Sequence, residues 1–208
     1  VQLTTISPQE ASDTNAWAQE HRAAYLDGAI QVAPDQMAQP DTTILISGAK
    51  EAFQRSEQVL NVLGGGVTYL GENPALAGTM DLATLSYVYG AYLGFVHGAR
   101  ISESQGLSVE KYGAIVANMS ASTGEFLKHE GKVIHSGDFA ISQSPLKISV
   151  DAVERILKTT QDMSINADFP AYAARLFRQA DTDGYGDEEL AALIKVMRKP
   201  GKELERIV

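Results

Sequence analysis

From Pro74 to Gln105 the chain reads PALAGTMDLATLSYVYGAYLGFVHGARISESQ, with no proline after the first and a single carboxylate, Asp81, before Glu103. Such a run predicts one long helix, capped by Asn73 and opened by Pro74. At a rise of ~1.5 Å per residue it would extend roughly 45 Å. That is too long for a compact domain of a 208-residue chain to cover alone. The one acid stands beside Met80, Leu82, Leu85 and Val88. A carboxylate in such surroundings loses hydration when ionised, so its pKa is expected to rise. An acid that keeps its proton near neutral pH can donate it in a reaction. The competing reading is a structural Asp that caps a helix or bonds a neighbour.

The rest of the composition narrows the function. A formal net charge of -9 leaves no basic face for phosphate, which argues against a nucleic-acid partner. With Cys at 0 there is neither a disulfide framework nor thiolate chemistry, as suits a reducing cytoplasm. The long helix carries His97, Arg100 and several tyrosines, so it reads as a core or interface helix rather than a membrane span.

Two parts are expected. Residues 1–72 alternate strand and helix. VQLTT reads as a strand already under way, which suggests that something once preceded Val1. Ser7, Pro8 and Glu10 form a capping box for a helix to about Arg22. Strands follow at Tyr25–Ile30 and Thr43–Ile46, then a helix from Ala49 to Leu63 and a fourth strand at Val67–Leu70. The sheet is thin, with an edge at VQLTT that needs covering. Residues 73–208 read as all helical: the long helix over 73–107, then a bundle over 108–208. Its helices are expected at Ser108–Lys128, from Ser144-Pro145, at Ser149–Ser164, at Pro170–Ala180 and at Asp187–Arg198, with GKVIHSGDF as a loop.

Smaller motifs read as structure rather than as chemistry. Gly90, Gly94 and Gly98 make a smooth ridge on the long helix. Each costs about 1 kcal/mol relative to Ala, so a closely packed second helix is expected, including the same helix of a second copy. The segment Asp181-Thr-Asp183-Gly184 resembles a calcium loop, but Gln179 and Leu190 fall where the loop needs carboxylates. A turn with Asp187 as N-cap explains it better. His21, His97, His129 and His135 show no metal-ligand spacing, so no metal is expected. Gly64-Gly65-Gly66 ends a helix rather than opening one, the wrong polarity for phosphate.

Several strings together carry a family resemblance: VQLTT before SPQEA, YLDGAI, TTILISG with KEAF, LGGGVTYLG, NPALAGTMDLATLSYVYG and DGYGDEELAALIKVMRKP. In this order and spacing the chain resembles bacterial NADPH-dependent imine reductases, within the β-hydroxyacid and 6-phosphogluconate dehydrogenase superfamily. The implied fold is an α/β remnant of a Rossmann domain, a long interdomain helix and an all-α bundle, in an intertwined homodimer. The implied reaction moves hydride from NADPH to the C=N bond of a cyclic imine, a small-molecule substrate.

Dehydrogenases of the superfamily carry Lys, and Asn four residues later, where Asp81 and Leu85 stand here. The resemblance therefore makes Asp81 the proton donor or iminium stabiliser, with a loose lean to R products. It places Tyr89 as a catalytic helper and Tyr92 beside the substrate. Gln2, Thr4 and Thr5 fall on the cofactor side, and Ala29, Ile30 and Gln31 line the substrate pocket. The glycine-rich turn that holds the pyrophosphate in this family is not in the sequence. A truncated chain that binds NADPH poorly and turns over little is therefore expected. Two other functions stay open, a non-catalytic helical dimerisation module and a 3-hydroxyacid dehydrogenase relative.

Overall fold

The computed structural model describes residues 1–199; the end of the 108–208 region, 200–208, lies outside the described residues. The chain forms two compact units, Val1–Ala91 and a second from Tyr92 on, and the boundary falls inside one continuous helix.

The first unit contains helix α1 (Pro8–Glu20), strand β1 (Leu26–Ile30), strand β2 (Thr43–Gly48), helix α2 (Lys50–Leu63) and strand β3 (Gly66–Gly71). Helix α1 starts where the sequence places it: Glu10 N–H donates to Ser7 Oγ at 3.2 Å and Ser7 N–H to Glu10 Oε2 at 2.7 Å. The sheet order is β1-β2-β3, with β1 antiparallel to β2 and β2 parallel to β3 across α2.

Alternation along the strands sorts the side chains onto two faces. Leu26, Ile44 and Ile46 pack with Ala52 and Leu60 of α2. Ala29 and Leu45 face the other way, against Ala77. Asp27 and Ser47, paired across β1 and β2, share that second face.

The expected strand at VQLTT is a correction. Only Gln2 bridges β1, at Asp27, and the sheet has three strands among the described residues. Gln2 N–H reaches Leu26 O at 2.9 Å, but the Gln2 side chain then turns onto Thr4, and that local bond competes with a ladder. Beyond this single bridge β1 is an open edge of the sheet, as β3 is on the other side.

Helix α3 (Ala75–Ser104) is the long apolar helix. A helix leaves its first four N–H groups without partners, and here each finds one. Ala75 N–H donates to Asn73 Oδ1 at 3.0 Å and Leu76 N–H to Asn73 O at 3.2 Å. Ala77 N–H donates to Ser47 Oγ at 2.9 Å, and Gly78 N–H to Asp27. The sequence shows the Asn73 cap; the two donated by the sheet are tertiary. Gly78 allows a close approach here: a Cβ would sit 3.0 Å from Ile6 O, so a larger residue fits only if that backbone gives way by a few tenths of an ångström.

The second unit holds the end of α3, α4 (Val109–Ser136), α5 (Leu146–Asp162), α6 (Asp168–Ala180) and α7 (Ile194–Met197). Its core joins Val133, Phe139, Leu146, Val150, Ala180, Ala191, Ala192 and Val196. The expected loop at GKVIHSGDF begins only at Gly137. The helix runs through Gly131 because Val133 on the next turn is buried in this core, and it ends at Gly137 in the left-handed conformation (φ 72°). The two expected helices after Ser144 are one, α5. The single helix expected over Asp187–Arg198 is a 3-10 turn, Leu190–Leu193, followed by α7. Asp187 caps nothing; it pairs with Lys147.

The glycine ridge also divides. Gly98 lies under Tyr112 of α4, whose hydroxyl donates to Phe95 O at 3.1 Å, and Gly94 faces the ring of Phe169 at the start of α6. Gly90 has nothing within 4 Å. Two of the three glycines thus meet aromatic rings within the chain, and one faces open space. Among the described residues, no helix is long and apolar enough to cross a membrane.

Candidate active site

Asp81 sits on the face of α3 that lies on the sheet, two turns into the helix, and is 4% exposed. The sequence expectation erred on what buries it. Met80, Leu82 and Val88 are each more than two-fifths exposed, and the buried neighbours along the helix are Ala77 and Gly78. The sheet surface withdraws Asp81 from water, rather than apolar residues of its own helix.

One carboxylate oxygen is held and the other is not. Gln31, just after β1, donates its Nε2 to Asp81 Oδ1 at 2.7 Å. The other end of that amide, Oε1, accepts from Thr84 Oγ1 at 2.6 Å. Asp81 Oδ2 is buried with no hydrogen-bond partner. An ionised buried oxygen without a donor carries the full cost of desolvation, of the order of 1–3 kcal/mol or more. Native structures tolerate such an atom where a ligand or a reaction uses it.

A second acid, missed in the sequence, lies nearby. Asp27 is 1% exposed and accepts from Tyr25 Oη at 3.3 Å, besides the N–H of Gly78. Burial pushes its pKa up; the Tyr25 hydroxyl and the N–H groups of Gly78 and Gly28 oppose this, and the charge of Asp81 adds to the rise. The Tyr25 hydroxyl is pushed up to about 12, by burial first and by the Asp27 charge second. The available signal was an Asp in the middle of an apolar strand, on the face of Ala29 by period two.

The other expected site residues fall in different places. Gln2 bridges β1 at Asp27, and its side-chain amide donates to Thr4 Oγ1 at 2.7 Å; Thr4 and Thr5 are exposed. Ala29 is buried between Leu45 and Ala77. Ile30 packs on the opposite face, with Leu26 and Ile44. Gln31 alone of that stretch touches Asp81. Tyr89 is 65% exposed, eight residues along α3 from Asp81, a rise of ~12 Å. Tyr92 is exposed too and stacks on Phe95 with ring centroids 6.4 Å apart.

Comparison with known proteins adds an independent line. The family model for the C-terminal domain of NADPH-dependent reductive aminase-like proteins matches residues 73–199. The NADPH-dependent reductive aminase of Aspergillus oryzae is 33% identical over 210 residues, spanning 99% of this chain and 70% of that protein. Among solved structures, the imine reductase from Myxococcus stipitatus in complex with NADP+ superposes with a TM-score of 0.87 at 28% identity, covering 95% of this chain and 69% of that one. The reductive aminase from Aspergillus terreus in complex with NADPH4, cyclohexanone and allyl amine gives 0.85 at 28% identity, covering 94% and 68%.

Proposed function

As the chain belongs to the NADPH-dependent reductive aminase-like family, we propose that it reduces the C=N bond of imines to amines with NADPH, and that Asp81 is its catalytic acid. One observation carries the assignment: the buried carboxylate whose Oδ1 is pinned by Gln31 while Oδ2 lacks any partner.

NADPH, when bound, supplies the hydride that forms the new C–H bond at the imine carbon. This chain's residues act at nitrogen. Thr84 fixes the Gln31 amide so that its N–H side faces Oδ1. A proton carried by Asp81 therefore sits on Oδ2. Protonated, Oδ2 donates to the imine nitrogen; ionised, it stabilises an iminium cation in surroundings that screen charge poorly. Asp27 and Ser47 hold the start of α3 and so set where Asp81 stands. The amide of Gln2 and the hydroxyls of Thr4 and Thr5 are a donor and acceptor set suited to a nicotinamide carboxamide, and we assign them to that end of the cofactor. Ala29, Tyr89 and Tyr92 keep their proposed places around the substrate, with Ala29 shaping the wall from beneath, whereas Ile30 points to the opposite face of the sheet and is withdrawn from the pocket.

The functional division proposed is 1–72 for the cofactor, 73–107 for the catalytic helix and 108–208 for dimerisation and substrate. A homodimer in the cytoplasm completes the reading. Its support is the apolar surface on α3, where Tyr87, Val88, Tyr89, Tyr92, Leu93 and Val96 are each about half exposed or more. The test joins the chain to a strand, glycine turn and helix for the pyrophosphate, then follows NADPH consumption with a cyclic imine. Asp81→Asn keeps an acceptor for Gln31 and should fold, with kcat lower by about a hundredfold or more. An unchanged rate would make Asp81 scaffold.

A further inference from the structure

The second unit buries a cluster that imine reduction does not use. Glu189 is 1% exposed, and its Oε2 accepts from Ser142 N–H at 2.6 Å, Ser142 Oγ at 3.0 Å and Gln143 N–H at 3.2 Å. Glu130 of α4 is 8% exposed; the Ala191 N–H serves its carboxyl group, yet Oε1 is buried without a hydrogen-bond partner. His129 Nε2 stands 3.9 Å from that orphaned oxygen and 2.9 Å from Ser142 Oγ. One ligand atom from each of His129, Glu130 and Glu189 lies within 4.8 Å of the others.

Two buried carboxylates need a counter-charge. Lys195 is engaged elsewhere, paired with Glu188 and standing over the rings of Phe139 and Tyr185. His129 is the titratable group that faces the pair, and its side chain is 32% exposed, which leaves a route from solvent.

We propose that His129, Glu130 and Glu189 bind one divalent first-row transition-metal ion, with the Ser142 hydroxyl or a water completing the shell. One imidazole nitrogen and two carboxylate oxygens suit Zn²⁺ or its neighbours better than Ca²⁺ or Mg²⁺, which favour all-oxygen shells. Ligands held ~2.1 Å from an ion lie roughly 3.4 Å apart in a tetrahedron, so the three atoms need to close by about an ångström. His129, at the exposed rim, can make that movement.

As a ligand, His129 carries its ring proton on Nδ1, and the Ser142 hydroxyl keeps its bond to Glu189. The role is structural: the ion ties α4 to the loop at 137–145 and to the turn that begins at Glu189. Sequence spacing hides such a site, because its first two ligands are adjacent and the third is remote.

The test uses this chain, stripped with a chelator and titrated at neutral pH with Zn²⁺ by calorimetry and with Co²⁺ by its visible spectrum. One equivalent is expected, with a rise of several degrees in the thermal midpoint under excess Zn²⁺. Glu130→Gln and His129→Asn should each weaken binding at least about tenfold. His129 is partly exposed, so His129→Asn reports even if Glu130→Gln folds poorly. Glu125→Gln, at an exposed position of the same helix, should bind as the parent does. Absence of stoichiometric uptake, or uptake unaltered in both ligand variants, overturns the proposal.

Discussion

Each unit buries two acids, and in each one acid is well supplied with donors while the other keeps an orphaned oxygen. In the first unit Asp27 is the supplied acid and Asp81 holds the orphan; in the second these are Glu189 and Glu130. The supplied acids nevertheless titrate in opposite directions. Burial pushes both up, but three backbone N–H groups and a hydroxyl outweigh it at Glu189 and hold that carboxyl below its ordinary range. At Asp27 fewer donors oppose burial, and the neighbouring Asp81 adds to the rise. Burial alone therefore does not set an acid's charge; the number of donors aimed at it does.

The contrast can be broken most strongly at Glu189. Glu189→Ala strands the N–H groups of Ser142 and Gln143 inside the protein and should cost about 3 kcal/mol, read from denaturant midpoints. Ser47→Ala in the first unit removes one tertiary cap of α3 and should cost about 1 kcal/mol by the same measurement. Gly90→Ala should add up to about 1 kcal/mol to the isolated chain, since a methyl there meets nothing, while weakening any self-association seen by sedimentation.

The pH dependence sharpens the comparison with the smallest effect. Asp27 has a raised folded pKa, so its contribution is present at low pH and is lost as pH rises from the unfolded value through the folded one. Glu189 has a lowered folded pKa, so its contribution is present above the unfolded value and is lost as pH falls through the folded one. Asp27→Asn should flatten only the former slope in a stability–pH series.

What the sequence revealed follows from how local each cause is. The start of α1, the span of α3 and the lone acid at 81 are written in neighbouring residues: a capping box, Asn73-Pro74, and an apolar run with one carboxylate. At VQLTT the composition misleads, because β-branched residues say nothing about whether a partner continues beyond Gln2. Helix α4 outlasted Gly131 because a buried Val133 outweighs the roughly 1 kcal/mol that a glycine costs. Asp187 looked like a cap until Lys147, distant in sequence, claimed it. In the site, Asp81 stood out by rarity and Gln31 by resemblance. Asp27 did not, since its burial exists only once α3 lies across the sheet.

The close fit of Gly98 beneath Tyr112 binds two positions together in sequence drift. A methyl at 98 would fall 2.3 Å from the phenol oxygen and 2.8 Å from the ring carbon that bears it. The Tyr112 ring must therefore move aside, giving up its bond to Phe95 O, or be replaced before position 98 can gain a side chain. Related chains with alanine or anything larger at 98 should carry a small residue at 112, and the reverse order of change should be rare.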